Sequence, residues 1–160
     1  MIEAITKLEN TQYQNEHKYT KGTSYNYGLE LAIDIIKRNT DYDGILEDMK
    51  KTLTVILTDV RFSDECYEGF IDALTVIKNH IKLHEYYMEM CQHEFKYDNR
   101  VDYGISNNTV YIYSEDMSKK ELYDLIDEVR NIIKSYGFIV SSSYNFDLNR
   151  NEFKVIGMVI

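Results

Sequence analysis

The stretch Ser118–Gly137, SKKELYDLIDEVRNIIKSYG, decides the fold of this sequence. Ser118 is followed three residues later by Glu121, and this spacing forms a capping box, in which each side chain accepts a hydrogen bond from the backbone N–H of the other residue. Apolar residues then recur every three or four positions, and Gly137 stands where helices commonly end in a left-handed residue. The stretch therefore predicts an amphipathic helix with an apolar side made of Leu122, Leu125, Ile126, Val129, Ile132, Ile133 and Tyr136.

Strand patterns lie on both sides of this helix. Thr109–Tyr113 is rich in β-branched and aromatic residues, a second strand runs from Phe138 to Phe146, and after a turn at 147–151 a last strand runs from Phe153 to Ile160. Both faces of the last strand are apolar, which is typical of a strand that is central or covered on both sides. This part of the chain predicts a small β-α-β-β antiparallel sheet with one packed helix, and Val101–Ile105 is a candidate for an additional strand.

The residues before this sheet predict about four helices. They are a short helix over 1–10, a helix from a Ser24 cap to about Arg38, a third from Asp41 and Asp43 to about Val60, and a long fourth helix from Asp64 to about Glu94 with Ser63 as its cap. Residues 11–23 are polar and predict an exposed loop. The β-branched run at 52–56 leaves a strand as the alternative within the third helix.

A pair of small residues recurs in two of these helices. Gly28 and Ala32 match Gly69 and Ala73 at an offset of 41 positions. Small residues four apart on a helix let a second helix approach closely, so we expect the helices to pack as one four-helix unit. The predicted fold class is α+β, with a helical region over 1–96 and an α/β region over 97–160 packed together as one body.

Composition and charge exclude several classes of protein. The 160 residues carry a formal net charge of −9 and form no basic patch, which argues against direct binding to nucleic acid. No apolar run has the roughly 20 residues of a membrane span. The chain begins without the basic and apolar segments of a secretory signal, and its two cysteines form no paired motif, so we expect it in the cytoplasm.

The motifs that could carry catalysis are weak. His80 and His84 stand one helical turn apart and could share a metal ion, but they lack the glutamate of the H-E-x-x-H pattern. Acidic residues cluster at 41–48 without the spacing of a calcium loop, and we interpret them as helix-start charges. The sequence has no G-x-S-x-G, P-loop or G-x-G-x-x-G motif. We therefore expect no metal, no cofactor and no enzymatic activity.

Tyrosines and carboxylates alternate near the start of the α/β region. Aromatic rings provide area that can be removed from water, and carboxylates beside them can pair with Arg or Lys of a partner protein. The alternative is that Tyr111 and Tyr113 occupy one face of a strand with Ile112 buried. The candidate partner-binding residues are Tyr97, Asp98, Asp102, Tyr103, Glu115 and Asp116.

The chain resembles small accessory proteins of phages and mobile elements in low-GC Gram-positive bacteria. The resemblance rests on the short acidic chain, its richness in Tyr, Asn and Ile, and helices of the form Gly28-x-x-x-Ala32-Ile33-x-x-Ile36-Lys37. Among these proteins it is most similar to the type II-A anti-CRISPR proteins that inhibit Cas9 nucleases. The resemblance implies a non-enzymatic inhibitor that binds this basic host nuclease in the bacterial cytoplasm by protein–protein contact.

Two routes of inhibition follow from this resemblance. One is docking on a nuclease domain such as HNH, and the other is occupying a PAM-reading or guide channel as an acidic mimic of nucleic acid. The negative charge is spread over two segments, 41–100 and 101–160, and forms no single stripe, which favours docking on HNH.

A different class of function is also consistent with the sequence. The fourth helix would be roughly 45 Å long and would extend beyond its neighbours. Its end is a candidate for dimerisation, so the alternative is a phage structural or regulatory protein that acts through a homodimer.

Overall fold

A computed structural model describes residues 1–18 and 21–159 of the chain and has the predicted α+β architecture. The chain divides into two compact units, Met1–Ile81 and Lys82–Ile160. The boundary lies 15 residues before the change in composition at 96/97, because the C-terminal half of one long helix belongs to the core of the second unit. The expectation that the two parts pack as one body stays a prediction.

Helices make up the first unit. They are α1 (Ile2–Lys18), α2 (Thr23–Arg38), α3 (Tyr42–Thr58) and the N-terminal half of α4 (Asp64–Glu94). The 52–56 run is helical, so the strand alternative is wrong there. Apolar residues at helical spacing form the core, which includes Leu8, Leu29, Ile33, Ile36, Ile45, Met49, Phe70 and Ile77.

The first helix is longer than its sequence predicts. Residues 11–18 continue α1 although they are polar, so the loop prediction is wrong there, and residues 19 and 20 lie outside the described residues. Two polar side chains in this part of α1 form hydrogen bonds with α2. Gln12 donates to the backbone oxygen of Asn26 at 3.1 Å, and Asn15 donates to the Asn26 side chain at 2.9 Å. These partners are distant in sequence, so a periodicity argument could not find them.

Capping residues fix most of the helix starts. Asp41 accepts a hydrogen bond from the backbone N–H of Gly44 at 2.7 Å, and Ser63 accepts one from Cys66 at 3.2 Å. Both agree with the predicted starts of α3 and α4. The predicted Ser24 cap is wrong, because α2 already begins at Thr23 and Gly22 occupies the cap position with no side chain to contribute.

The two glycines of the repeated pair mark the crossing of α2 and α4. A Cβ on Gly28 would overlap the carbonyl oxygen of Cys66 and lie 2.7 Å from the backbone nitrogen of Phe70, and a Cβ on Gly69 would overlap the carbonyl oxygen of Tyr25. The close approach that the small residues predict is therefore confirmed, and the two backbones touch at this point.

The second unit is built on a four-stranded antiparallel sheet. Its strands are β1 (Val101–Gly104), β2 (Thr109–Tyr113), β3 (Phe138–Asn145) and β4 (Arg150–Met158), in the spatial order β1-β2-β4-β3. The candidate strand near 101–105 is present. Val110 pairs with Phe153, and Phe153 pairs with Ser142, so β4 is the neighbour of both β2 and β3. The last strand is therefore central, as predicted.

One face of this sheet is covered by helices. α5 (Lys119–Ser135) and the C-terminal half of α4 pack on it, and their buried contacts include Tyr87, Met90, Cys91, Leu125, Val129, Ile133, Val110, Ile112, Phe153 and Val155. The Tyr87 hydroxyl donates to the backbone oxygen of Thr109 at 2.8 Å, which satisfies its polar atom inside the core. We call this side of the sheet the helix face and the other side the open face.

The open face of β4 corrects one expectation. β4 begins at Arg150 instead of Phe153, and its open face carries Glu152 and Lys154, with Ile156 55% exposed. The prediction that both faces are apolar is wrong, because Lys154 lies on the open face within the predicted strand and Glu152, which precedes Phe153, also belongs to β4.

Local signals set the limits of α5. The capping box is present, with Glu121 accepting from the Ser118 backbone at 2.8 Å and Ser118 accepting from the Glu121 backbone at 3.3 Å. Gly137 follows the helix with a φ of +78°, the left-handed conformation that favours glycine. Within residues 1–18 and 21–159, no helix combines the length and apolar character that a membrane crossing requires.

Candidate protein-binding surface

The structure divides the six predicted partner-binding residues among separate places in the second unit. Tyr97 and Asp98 lie in the connection from α4 to β1, and Glu115 and Asp116 lie in the turn from β2 to α5. Asp102 and Tyr103 are adjacent in β1, and adjacent strand residues point to opposite faces of a sheet. Asp102 is exposed opposite Tyr111, whereas Tyr103 packs against the core under the helices.

The α4–β1 connection is internally paired. Asp98 accepts hydrogen bonds from the Arg100 side chain at 2.7 and 2.9 Å, and these bonds lower the pKa of the carboxyl group below its usual value. Tyr97 is 89% exposed, and the ammonium of Lys96 lies 5.2 Å from its ring centroid. Asp98 is thus already neutralised by a neighbour, while Tyr97 presents most of its ring to solvent.

The antiparallel topology gathers several turns at one end of the sheet. Tyr113 at the end of β2 is paired with Arg150 at the start of β4, and Arg150 is paired with Asn145 at the end of β3. The β2–α5 turn and the β3–β4 turn therefore leave the sheet side by side. We call the group that they carry the sheet-end surface, and it consists of Tyr113, Glu115, Asp116, Tyr144, Phe146, Asp147 and Leu148.

Hydrogen bonds hold the two turns together. The Ser114 hydroxyl lies 3.1 Å from the backbone oxygen of Asn149 and 3.2 Å from its side-chain oxygen. Asn149 has a φ of +46°, a conformation that Asn tolerates better than most residues and that closes the turn. The backbone N–H of Leu148 donates to the Asn145 side chain at 3.1 Å, and the Tyr144 hydroxyl also bonds to the side chain of Asn149.

The braced β3–β4 turn exposes unusually apolar side chains. Phe146 is 86% exposed and Leu148 is 52% exposed. The ring of Phe146 meets the ring of Tyr144 edge to face, with centroids 4.9 Å apart. An aromatic anchor that is already ordered binds a partner at a lower entropic cost than one on a loose loop.

Carboxylates surround this apolar turn. Glu115, Asp116 and Asp147 are exposed, and in the described part of the chain they form no hydrogen bond or ion pair through their side chains. The nearest cation along β4 is the guanidinium of Arg150, which bonds to Glu152 at 2.8 Å and lies 3.8 Å from the ring centroid of the buried Tyr111. Arg150 also donates to the Tyr113 hydroxyl at 3.2 Å, and its ion pair is with Glu152 and not with Glu115, Asp116 or Asp147.

The histidines that could suggest a metal site have partners of their own. The amino group of Met1 lies 2.8 Å from Nε2 of His80, and Nδ1 of His84 lies 2.6 Å from the side-chain oxygen of Asn108. Among residues 1–18 and 21–159, no group of three His, Cys, Asp or Glu side chains is arranged to hold a metal ion.

The sequence does not predict the apolar part of the sheet-end surface. Its pattern places Phe146 in a strand and Leu148 in a turn, and neither is among the predicted contact residues. The available signal is the pair of large apolar residues on either side of Asp147, because turns are usually polar. The predicted contact residues Glu115 and Asp116 lie beside this turn.

Comparisons with known proteins add no relative. No protein family matches the chain, and neither does any curated protein or any solved structure.

Proposed function

We propose that this protein is a non-enzymatic inhibitor that binds a basic host nuclease of the Cas9 class by protein–protein contact. It docks on a nuclease domain such as HNH, so that DNA cleavage is blocked. The chain itself transforms no substrate and needs no cofactor. The choice of Cas9 rests on the resemblance to type II-A anti-CRISPR proteins, and the choice of a protein partner rests on the sheet-end surface.

The observation that carries the proposal is the braced β3–β4 turn among unpaired carboxylates. Phe146 and Leu148 supply apolar area that a partner can desolvate. Glu115, Asp116 and Asp147 supply charges for Arg or Lys at the rim of the contact, where complementary charge favours rapid and selective association. A basic protein surface with an apolar depression is the complement of this arrangement.

The charge of the surface argues against nucleic acid as the direct partner. Nucleic-acid binding gains affinity by neutralising phosphates, and the exposed carboxylates of the sheet-end surface would repel them. A basic nuclease has the opposite charge, so its attraction to this surface is strongest at low ionic strength.

A cleavage assay with a purified Cas9–guide complex tests the proposal. We expect the protein to abolish cleavage at a stoichiometric excess, while the complex still binds its target DNA, because docking on HNH acts after DNA binding. Normal cleavage at excess protein would rule out the proposed function. Loss of DNA binding would overturn docking on HNH in favour of occupation of a PAM-reading or guide channel.

A matched pair of variants tests the surface. Phe146→Ala combined with Leu148→Ser removes the exposed anchors, and we expect inhibition to weaken by at least about tenfold. Val60→Ala, at a residue 98% exposed in the first unit, removes exposed apolar area elsewhere and should leave inhibition unchanged. Equal inhibition by both variants would show that the sheet-end surface is not the contact.

A further inference from the structure

β3 is an edge strand whose outer side is open. It pairs with β4 over its whole length, and in the described part of the chain no strand lies on its other side. Ser141, Ser142 and Ser143 in its centre are all exposed. An edge strand presents a row of backbone N–H and C=O groups that another strand can pair with.

The centre of the β3 edge carries little protection against such pairing. Proteins commonly block an edge with charged residues, proline, bulges or very short strands, yet residues 135–146 contain no Lys, Arg, Asp, Glu or Pro. The β3–β4 pair has one register irregularity, between Ile139 and Val140, and the serine segment lies beyond it. The opposite edge of the sheet is different. β1 has only four residues, it contains Asp102, and Arg100 stands just before it. Of the two edges, only β3 is long and uncharged.

The sequence of β3 suits pairing with itself. In an antiparallel pair with a two-fold axis at Ser142, Ser141 lies opposite the partner's Ser143, and Val140 lies opposite the partner's Tyr144. No like charges face each other along this pair, although each chain carries a formal net charge of −9. The small central serines also let two identical strands approach without overlap of their side chains.

We propose that β3 pairs antiparallel with β3 of a second copy of this chain, and that the two sheets form one continuous eight-stranded sheet. The pairing is centred on Ser142. This interface shares Tyr144 with the sheet-end surface but does not involve Phe146, Leu148 or the exposed carboxylates, and it does not depend on the proposed function. A neutral, self-complementary edge fits a second copy better than it fits a strongly charged partner strand, which would find no countercharge along β3.

Charges placed at Ser141 and Ser143 test both the pairing and its register. In β4, Ser141 faces Lys154 and Ser143 faces Glu152. The variant Ser141→Glu/Ser143→Lys therefore gains an opposite charge across each β4 pair, and in the proposed dimer its Glu also faces the new Lys of the partner. The variant Ser141→Glu/Ser143→Glu differs at one position only, and in the dimer it places Glu against Glu twice.

Sedimentation equilibrium of the full chain measures the outcome. We expect the natural protein and the Glu/Lys variant to reach twice the monomer mass of 19.0 kDa, and the Glu/Glu variant to dissociate with a constant at least about tenfold larger. Circular dichroism melting of each variant checks that the subunit is folded. A natural protein that stays at the monomer mass at its highest attainable concentration overturns the proposal. Equal dissociation constants for the two folded variants overturn it as well.

Discussion

The carbonyl oxygen of Tyr25 occupies the place where a side chain on Gly69 would begin. Since this oxygen belongs to the backbone of α2, it cannot turn aside as a flexible side chain could. The Tyr25 hydroxyl also donates to the carboxylate of Asp72 in α4 at 2.6 Å, so a hydrogen bond connects the two helices in addition to the backbone contact. The geometry of the first core therefore depends on the absence of a Cβ at residue 69.

Gly69→Ala should push α2 and α4 apart and destabilise the protein. Forcing a methyl group into a filled contact typically costs about 1–3 kcal/mol. The cost here should reach the upper end, because the atoms nearest to the new methyl group are backbone atoms of Tyr25. Urea unfolding at neutral pH measures the change. Gly157→Ala is the control, because its new Cβ would lie in ordinary contact, 3.5 Å from Cδ1 of Ile139. Equal stability of the two variants would contradict a tight crossing.

Ser114→Ala should loosen the β3–β4 turn without unfolding the sheet. The hydroxyl bonds to Asn149 across the two turns, and loss of a hydrogen bond of this kind costs about 0.5–1.5 kcal/mol. We expect faster hydrogen exchange at the amide of Leu148 and unchanged exchange at the amide of Val155 in the core. If exchange at Leu148 is unaltered, Ser114 does not brace the turn.

The two thiols should be unreactive in the folded protein. Cys66 and Cys91 are free and buried, and burial raises the pKa of both, that of Cys91 to about 12. Because the thiolate is the reactive form, a disulfide reagent at pH 8 should modify neither cysteine rapidly in the native state and both in denaturant. Rapid native modification of a single thiol would show that its helix opens locally.

Stability should fall as the pH rises above about 9. Because the pKa of Cys91 is raised in the folded protein, its thiol ionises at a lower pH in the unfolded chain than in the folded one. Its contribution to the free energy of unfolding is therefore complete below the unfolded pKa of about 8.5 and is lost progressively as the pH approaches 12. Tyr87 acts in the same direction, because burial raises the pKa of its hydroxyl as well. Urea unfolding at pH 7, 9 and 10.5 measures this slope, and Cys91→Ala should make it shallower. An equal slope in the variant would exclude Cys91 as its source.

The capping box at the start of α5 should contribute measurably to the second unit. Ser118→Ala removes an acceptor for the Glu121 backbone, and loss of such a cap costs about 0.5–2 kcal/mol. Ser118→Asp, which can accept the same hydrogen bond, is the matched control and should retain most of the stability. Thermal unfolding followed by circular dichroism distinguishes the two variants, and similar losses for both would argue against capping.

Elements with local determinants were predictable from the sequence. The limits of α5 follow from Ser118, Glu121 and Gly137, and the start of α4 follows from Ser63, since each signal lies within four residues of the boundary that it sets. The continuation of α1 was not predictable, because the polar residues Gln12 and Asn15 become compatible with a helix only when Asn26 is beside them. Hydrogen bonds between separate helices produce no periodic pattern of apolar residues in the sequence.

The candidate surface shows the same limit. The sequence pattern treats Asp102 and Tyr103 alike, whereas in the structure Tyr103 packs into the core and Asp102 is exposed opposite Tyr111. Nor does the sequence place the β3–β4 turn beside Glu115 and Asp116, since strand order determines which turns are neighbours. That order is a property of the assembled sheet.

The central position of β4 has a consequence for synthesis on the ribosome. β2 and β3 both precede β4 in the chain, yet in the described structure each pairs with β4 and the two are not neighbours. A nascent polypeptide can complete its helical unit early, but it has no template for the four-stranded sheet until β4 has left the exit tunnel. Until then, the apolar sides of α5 and β3 stay exposed to chaperones, proteases and other emerging chains, so premature termination within 150–158 should produce rapidly degraded fragments and no partly active domain.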